Sequence, residues 1–174
     1  MKIGDYYDLE ENIKSIVSKK EENGYENQYF TKENFKWVVF DIDEEKGEIL
    51  LISKEPSEQE LILNGQVGYE NAEKVIDNLC KEITVLENAR NLKFEDIIQS
   101  KYWENEKKKE LIFKDNNYWL SSRCVHALSS YANFGVRYVT SSNVYTSKLF
   151  YSDGDKDSDM YRVRPVVSVK MEGR

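Results

Sequence analysis

Cys124 and His126 are the one pair of side chains with the types needed for covalent catalysis, a thiol nucleophile and an imidazole base two positions apart. On a strand that spacing puts both on one face. No acid stands at a spacing that would orient the imidazole, so the expected reading is a structural cysteine and a partly buried histidine. His126 is the sole histidine, which excludes histidine-based zinc sets. The second cysteine, Cys80, is far from Cys124 and neither belongs to a CxxC pair. A disulfide framework and a thiolate zinc site are therefore not expected, and both thiols are expected to be free and buried.

The segment Asp153-Gly-Asp-Lys-Asp-Ser-Asp159 places carboxylates at every second position, as a calcium loop does to gather oxygen ligands. The EF-hand pattern fails, because Ser158 stands where glycine is required and Arg164 where the bidentate glutamate belongs. A solvated turn whose charges block edge pairing is expected instead, with no metal. Arg123, Arg137, Arg162 and Arg164 are interleaved with Tyr118, Tyr131, Tyr138, Tyr145, Tyr151 and Tyr161. Such mixtures are enriched at interface hot spots, where they combine contact area with hydrogen bonding. They also brace the rims of small sheets from within. Arg123, Arg137, Tyr138, Tyr145, Tyr151, Tyr161, Arg162 and Arg164 are the candidate binding residues.

These side chains must be held by the last third of the chain, where YWLSSR, FGVRYV, YTSKLFY and YRVRPVVSV read as paired strands. Upstream, Leu9, Ile13, Ile16 and Val17 fall at helical spacing and predict an amphipathic helix over 8–22. FKWVVFDID and GEILLISK predict a hairpin turning at Glu44 to Gly47, with Trp37, Val39, Ile49 and Leu51 inward. Pro56 should end the second strand, and a loop through Asn64, Gly65 and Gly68 should lead to Asn71 as an N-cap. Val75, Ile76, Leu79, Cys80, Ile83 and Leu86 then predict a helix over 72–86 that covers one face of the sheet. A second helix should start near Phe94, with Phe94, Ile97, Ile98 and Tyr102 on one face, and Lys107 to Lys109 should be a solvated turn or helix end. Helices and strands are segregated, which argues for an α+β fold over a doubly wound sheet.

At 174 residues, 40% hydrophobic and 13% aromatic, the chain can bury a real core and suits one domain. No run is long enough to span a membrane and the start lacks a secretory layout, so a cytoplasmic or virion location is expected. The richness in Lys, Asn, Ile, Glu and Tyr fits AT-rich coding, as in a low-GC bacterium or its phage. From Tyr118 onward eight Lys and Arg face five Asp and Glu, a local +3, so the net −7 leaves the first 117 residues at −10. That imbalance disfavours general nucleic-acid binding and favours solubility or a basic partner.

NYWLSSRCV, FGVRYV and YRVRPVVSV together resemble a family of bacterial and prophage proteins with a YWLASR strand, an F-x-VR-x-V strand and a closing VRPVVSL. FKWVVFDID with GEILLISK resembles its opening hairpin, GYENAEKVIDNLC its first helix and ARNLKFEDI its second, so the likeness covers most of 35–170. Two departures are Arg162, where a glycine usually precedes VRP, and the acidic tip before it. The resemblance implies a C-type-lectin-like α+β fold, similar to that of formylglycine-generating enzymes and phage receptor-binding proteins. The expected layout is an N-terminal helix and connector over 1–34 and one such domain over 35–174. Formylglycine-type oxidation needs a cysteine pair suited to its metal chemistry, which is not evident here. A non-enzymatic phage or prophage binding protein is therefore expected, without cofactor, direct nucleic-acid or membrane contact. Its protein partner would be a basic nucleoprotein effector of host defence such as a CRISPR nuclease. The alternative is a virion or cell-surface receptor module for carbohydrate.

Overall fold

The computed structural model describes residues 1–9, 30–114 and 117–171. The helix expected over 8–22 lies almost wholly outside them. Ten strands in two five-stranded sheets and three α-helices are present among the described residues, a mixed α+β architecture.

The first sheet joins β1 (Tyr6–Tyr7), β2 (Trp37–Asp43), β3 (Glu48–Ser53), β10 (Pro165–Lys170) and β5 (Arg90–Asn91) in that spatial order, all antiparallel. β2 and β3 are the expected hairpin, and their uninterrupted apolar runs suit strands covered on both faces. Trp37, Val39, Ile49 and Leu51 enter one core, as expected. Val38, Phe40 and Ile52, on the opposite side, enter a second core that also holds Leu92, Ile97, Ile112 and Tyr118.

The second sheet runs β4 (Glu60–Asn64), β9 (Ser158–Arg162), β6 (Tyr118–Ala127), β7 (Ala132–Val139), β8 (Val144–Tyr151). β4 lies in the stretch read as loop, and its alternation buries Leu61 and Leu63. YRVRPVVSV is not one strand. It ends in β9 beside β4, passes through the buried pair Val163 and Arg164, and restarts at Pro165 in the other sheet. Proline has no donor for a ladder, so it suits the first position of a new strand.

Helix α1 (Gly65–Thr84) carries the expected apolar stripe, with Val75, Ile76, Leu79, Cys80 and Ile83 buried against both sheets. It starts at Gly65, earlier than the low helix propensity of Gly65 and Gly68 suggests. Burial of Gly68 overrides that preference. Asn71 is not the cap: its side-chain amide donates to the Val67 carbonyl one turn back, at 2.9 Å, and Asn64 takes the cap position.

Helix α2 (Phe94–Gln99) begins where expected, but only Ile97 is buried, and Ile98 is exposed because so short a helix presents one narrow face. EKKKEL forms α3 (Glu106–Phe113), and its lysines are not all solvated. Lys108 is buried, its ammonium donating to Asp41 Oδ1 and the Ser100 carbonyl, each at 2.8 Å.

Candidate binding surface

The candidate arginines and tyrosines do not form one surface, because strand alternation sends them to opposite faces. Tyr138 and Tyr161 stack with centroids 4.3 Å apart, Trp119 meets Tyr161 edge-on at 4.7 Å, and both tyrosines pack on the α1 core. Desolvation, then the hydrogen bond with Tyr138, pushes the Tyr161 hydroxyl well above the ordinary phenol range. Tyr145 continues the row, 6.2 Å from Tyr138, and is half exposed. Arg137 points to the other face, over the Phe94 ring at 4.2 Å. Arg123 lies over Tyr69 at 5.4 Å and pairs with Glu73 at 3.5 Å. Arg162 is exposed on β9, opposite Glu60.

Arg164 is no surface residue, since it is fully buried. Its Nε donates to the Ser53 carbonyl at 2.7 Å, its Nη2 to the Lys54 carbonyl at 2.9 Å, and its charge lies 5.3 Å from the Tyr118 ring. Desolvation pulls its pKa below the ordinary guanidinium value. It belongs to a polar junction that ties the two sheets to α1. Asn91 accepts from the Arg164 backbone N–H at 2.7 Å and donates to the carbonyls of Leu92 and Trp119 at 3.0 and 2.6 Å. Asp77 of α1 accepts from the Asn91 N–H at 2.9 Å and the Ser121 hydroxyl at 2.7 Å. Arg90 grips Asp96 through two bonds of 2.7 and 2.9 Å, and Asp96 caps the start of α2. The motif segments ARNL, YWLSSR and VRPVV thus spend their polar residues on joining elements.

Cys124 and His126 do share a face, but the thiol is only partly buried and the histidine is exposed, which corrects the more buried expectation for both. Cys80 is the buried one, and desolvation raises its pKa well above the usual thiol value. Asn133 stands opposite His126 in register. Among the described residues no hydrogen bond links it or Cys124 to the imidazole.

At the far end of the second sheet the chain presents a different surface. Val125, Leu128 and Tyr131 stand out from the β6–β7 tip, 51%, 43% and 40% exposed. Ala132 and Ser152 are joined by two hydrogen bonds, 2.8 and 3.0 Å, and Tyr131 and Tyr151 lie 6.1 Å apart, so this tip adjoins the acidic segment. That segment folds along β8 and not as a free turn. Asp155 accepts from the Tyr151 N–H at 2.9 Å, Asp157 donates its N–H to Leu149 at 2.7 Å, and Lys156 bridges Phe150. It thereby covers part of the β8 edge. Asp153 accepts from the Asp155 N–H at 3.0 Å and Asp159 accepts from the Ser147 hydroxyl. Among the described residues no three carboxylate, histidine or cysteine side chains converge as metal ligands. Asp153, Asp155 and Asp157 are exposed on the segment that follows Ser152. The exposure of Val125 and Leu128 has only a faint trace in sequence, as apolar residues running up to the Ser129-Ser130 turn.

No protein-family model matches the chain, and neither a curated protein nor a solved structure matches it. No helix among the described residues is long and apolar enough to cross a membrane.

Proposed function

We propose that this is a non-enzymatic binding protein of phage or prophage type, built on a C-type-lectin-like scaffold, that engages a basic protein partner through the far end of its second sheet. The observation that carries this reading is the exposed tip of Val125, Leu128 and Tyr131, which adjoins the start of the exposed acidic segment through Tyr131–Tyr151 and Ala132–Ser152. Apolar and aromatic side chains beside charged ones are the composition of an interface core and rim. The carboxylates select a positive partner and speed encounter more than they add affinity. In its sharpest form the partner is a nucleoprotein effector of host defence, such as a CRISPR nuclease, whose basic nucleic-acid channel the acidic segment would occupy.

The test is affinity capture of the tagged protein from a bacterial host lysate, with nuclease treatment and stepped salt. A stoichiometric basic effector is expected, lost as salt rises and lost from the double variant Leu128→Ser, Tyr131→Ala. Capture that is indifferent to both salt and that variant would sink the reading. The Tyr131 and Tyr151 rings beside carboxylates also suit stacking and hydrogen bonding to a sugar. Retention on a glycan array, abolished by Tyr131→Ala, would shift the assignment to a virion or cell-surface receptor module.

A further inference from the structure

In the first two thirds of the chain, which carries the −10 excess, a cleft of about 330 Å³ is lined by more cations than anions. Lys54 follows β3 on one wall, and Lys107 and Lys114 stand on or beside α3 on the other, with Glu55 and Glu110 as the acidic lining. Glu110 is partly neutralised by Lys114 at 3.7 Å. A second hollow of about 300 Å³ continues past Lys54 and Glu55 and adds Lys36 together with Glu33 and Glu58, so the positive lining is confined to the first cleft. Among the described residues Lys36 and Lys107 form no salt bridge, although Glu55 and Glu110 line the cleft with Lys107.

Three further observations mark the same place. The Lys54 ammonium donates to the Tyr6 hydroxyl at 2.6 Å, so a lysine is held at the cleft mouth by a neutral group and keeps its charge for another. The Tyr6 phenol is pulled below its ordinary pKa by that bond and by the charges of Lys54 and Lys36, the sign of a positive local field. Behind the wall, buried Arg164 bonds the carbonyls of Ser53 and Lys54 while its Nη1 has no partner, and no carboxylate pairs with it among the described residues. A buried guanidinium so placed adds positive potential to a wall already carrying lysine.

We propose that this cleft binds a small molecule carrying a diphosphate or more than one phosphate group. Lysines on facing walls suit an anion that spans them, and the volume is at the lower bound of small-ligand sites. The exposed Tyr6 ring at the mouth offers a stacking face for the planar part of a nucleotide. The site is separate from the far-end surface and stands or falls without it.

Titration calorimetry of the full chain with inorganic pyrophosphate and with ADP, sulfate at equal ionic strength serving as the salt control, tests the proposal. Saturable one-to-one binding of both is expected, weakened at least tenfold by Lys54→Gln and by Lys107→Gln and unchanged by Lys46→Gln on the β2–β3 turn. Tyr6→Leu should weaken ADP more than pyrophosphate. Circular dichroism of each variant confirms its fold, which these exposed positions should leave intact. Non-saturating binding, equal competition by sulfate, or equal loss in Lys46→Gln would overturn it.

Discussion

Where β5, β6 and β10 meet, Asn91, Asp77, Ser121 and Arg164 use their polar atoms on neighbouring backbone and side chains. At the other end of the second sheet Val125, Leu128 and Tyr131 are turned to solvent at a tip that adjoins the start of the acidic segment. The first region holds most of the segments that resemble family motifs, whereas the second holds the acidic segment and the end of NYWLSSRCV. A buried polar group costs about 1–3 kcal/mol when left without a partner, so the junction constrains residue identity tightly. An exposed tip bears no such constraint and is free to be shaped by a partner. Motif strength in this chain therefore largely marks where the fold is joined.

The sharpest way to break that contrast is to remove one member from each side. Asn91→Ala takes the side-chain partner from the Trp119 carbonyl and the Arg164 N–H at a fully buried position, while the Leu92 carbonyl keeps the Ser121 N–H, so a loss of about 2–4 kcal/mol is expected. Leu128→Ser should change stability by no more than about 0.5 kcal/mol, as surface substitutions do. Urea unfolding of the two variants measures both numbers. Equal losses would mean that the tip is as structural as the junction and would remove the ground for reading it as a binding surface.

Gly135 sits between the two regions, where β7 passes the bulge in β8. A Cβ there would run into the Ser147 carbonyl and the Thr146 methyl, one of them main chain that cannot swing aside. Gly135→Ala should cost about 2–3 kcal/mol by overpacking. It should also shift the tip and weaken partner capture, which Leu128→Ser would do without loss of stability. A stable Gly135→Ala protein would show that the bulge is not what sets the course of β7.

Much of the first region could be read from the sequence, and little of the second. The β2–β3 hairpin, the apolar stripe of α1 and the start of α2 follow from period and turn residues because each is decided within a few positions. β4 and the split between β9 and β10 depend on pairing across about a hundred residues, which local pattern does not encode. Arg164 looked like a surface arginine because residue type says nothing of depth; three backbone and ring partners from distant segments make its burial tolerable. The apolar tip was hidden for the opposite reason, since Val125 and Leu128 resemble any residues bound for a core.

The junction can also be probed by pH. Tyr118 is fully buried and its hydroxyl donates to the Ile112 carbonyl at 2.9 Å; desolvation pushes its pKa up to about 12 from 10.0, with Arg164 opposing. The folded state then holds this proton more tightly than the unfolded chain. The contribution is fully present below pH 10 and is lost as pH rises through about 12, on the order of 2 kcal/mol. Tyr118→Phe should flatten the alkaline fall in stability, whereas Tyr131→Phe at the exposed tip should leave it unchanged. If the two alkaline profiles coincide, the burial of Tyr118 is not what sets them.

The smallest effect separates the two ends of α1. Gly65, at the end nearest the acidic segment, has φ of +56°, and Val85, just past the inner end, has φ of +60°. The backbone asks nearly the same of both, yet only the first residue is suited to it. A left-handed conformation costs an L-residue about 1–2 kcal/mol, and glycine avoids it at a cost of about 0.4–1 kcal/mol through the unfolded chain. Gly65→Ala should therefore destabilise by about 1 kcal/mol, and Val85→Gly should stabilise by about 0.5 kcal/mol, since glycine is the usual residue where a helix ends this way. The half-buried Val85 side chain works against that gain. Should thermal unfolding show Val85→Gly to be less stable than the parent, the packing of Val85 outweighs its strain, and the inner end of α1 is held by side-chain contact in the same way as the junction beside it.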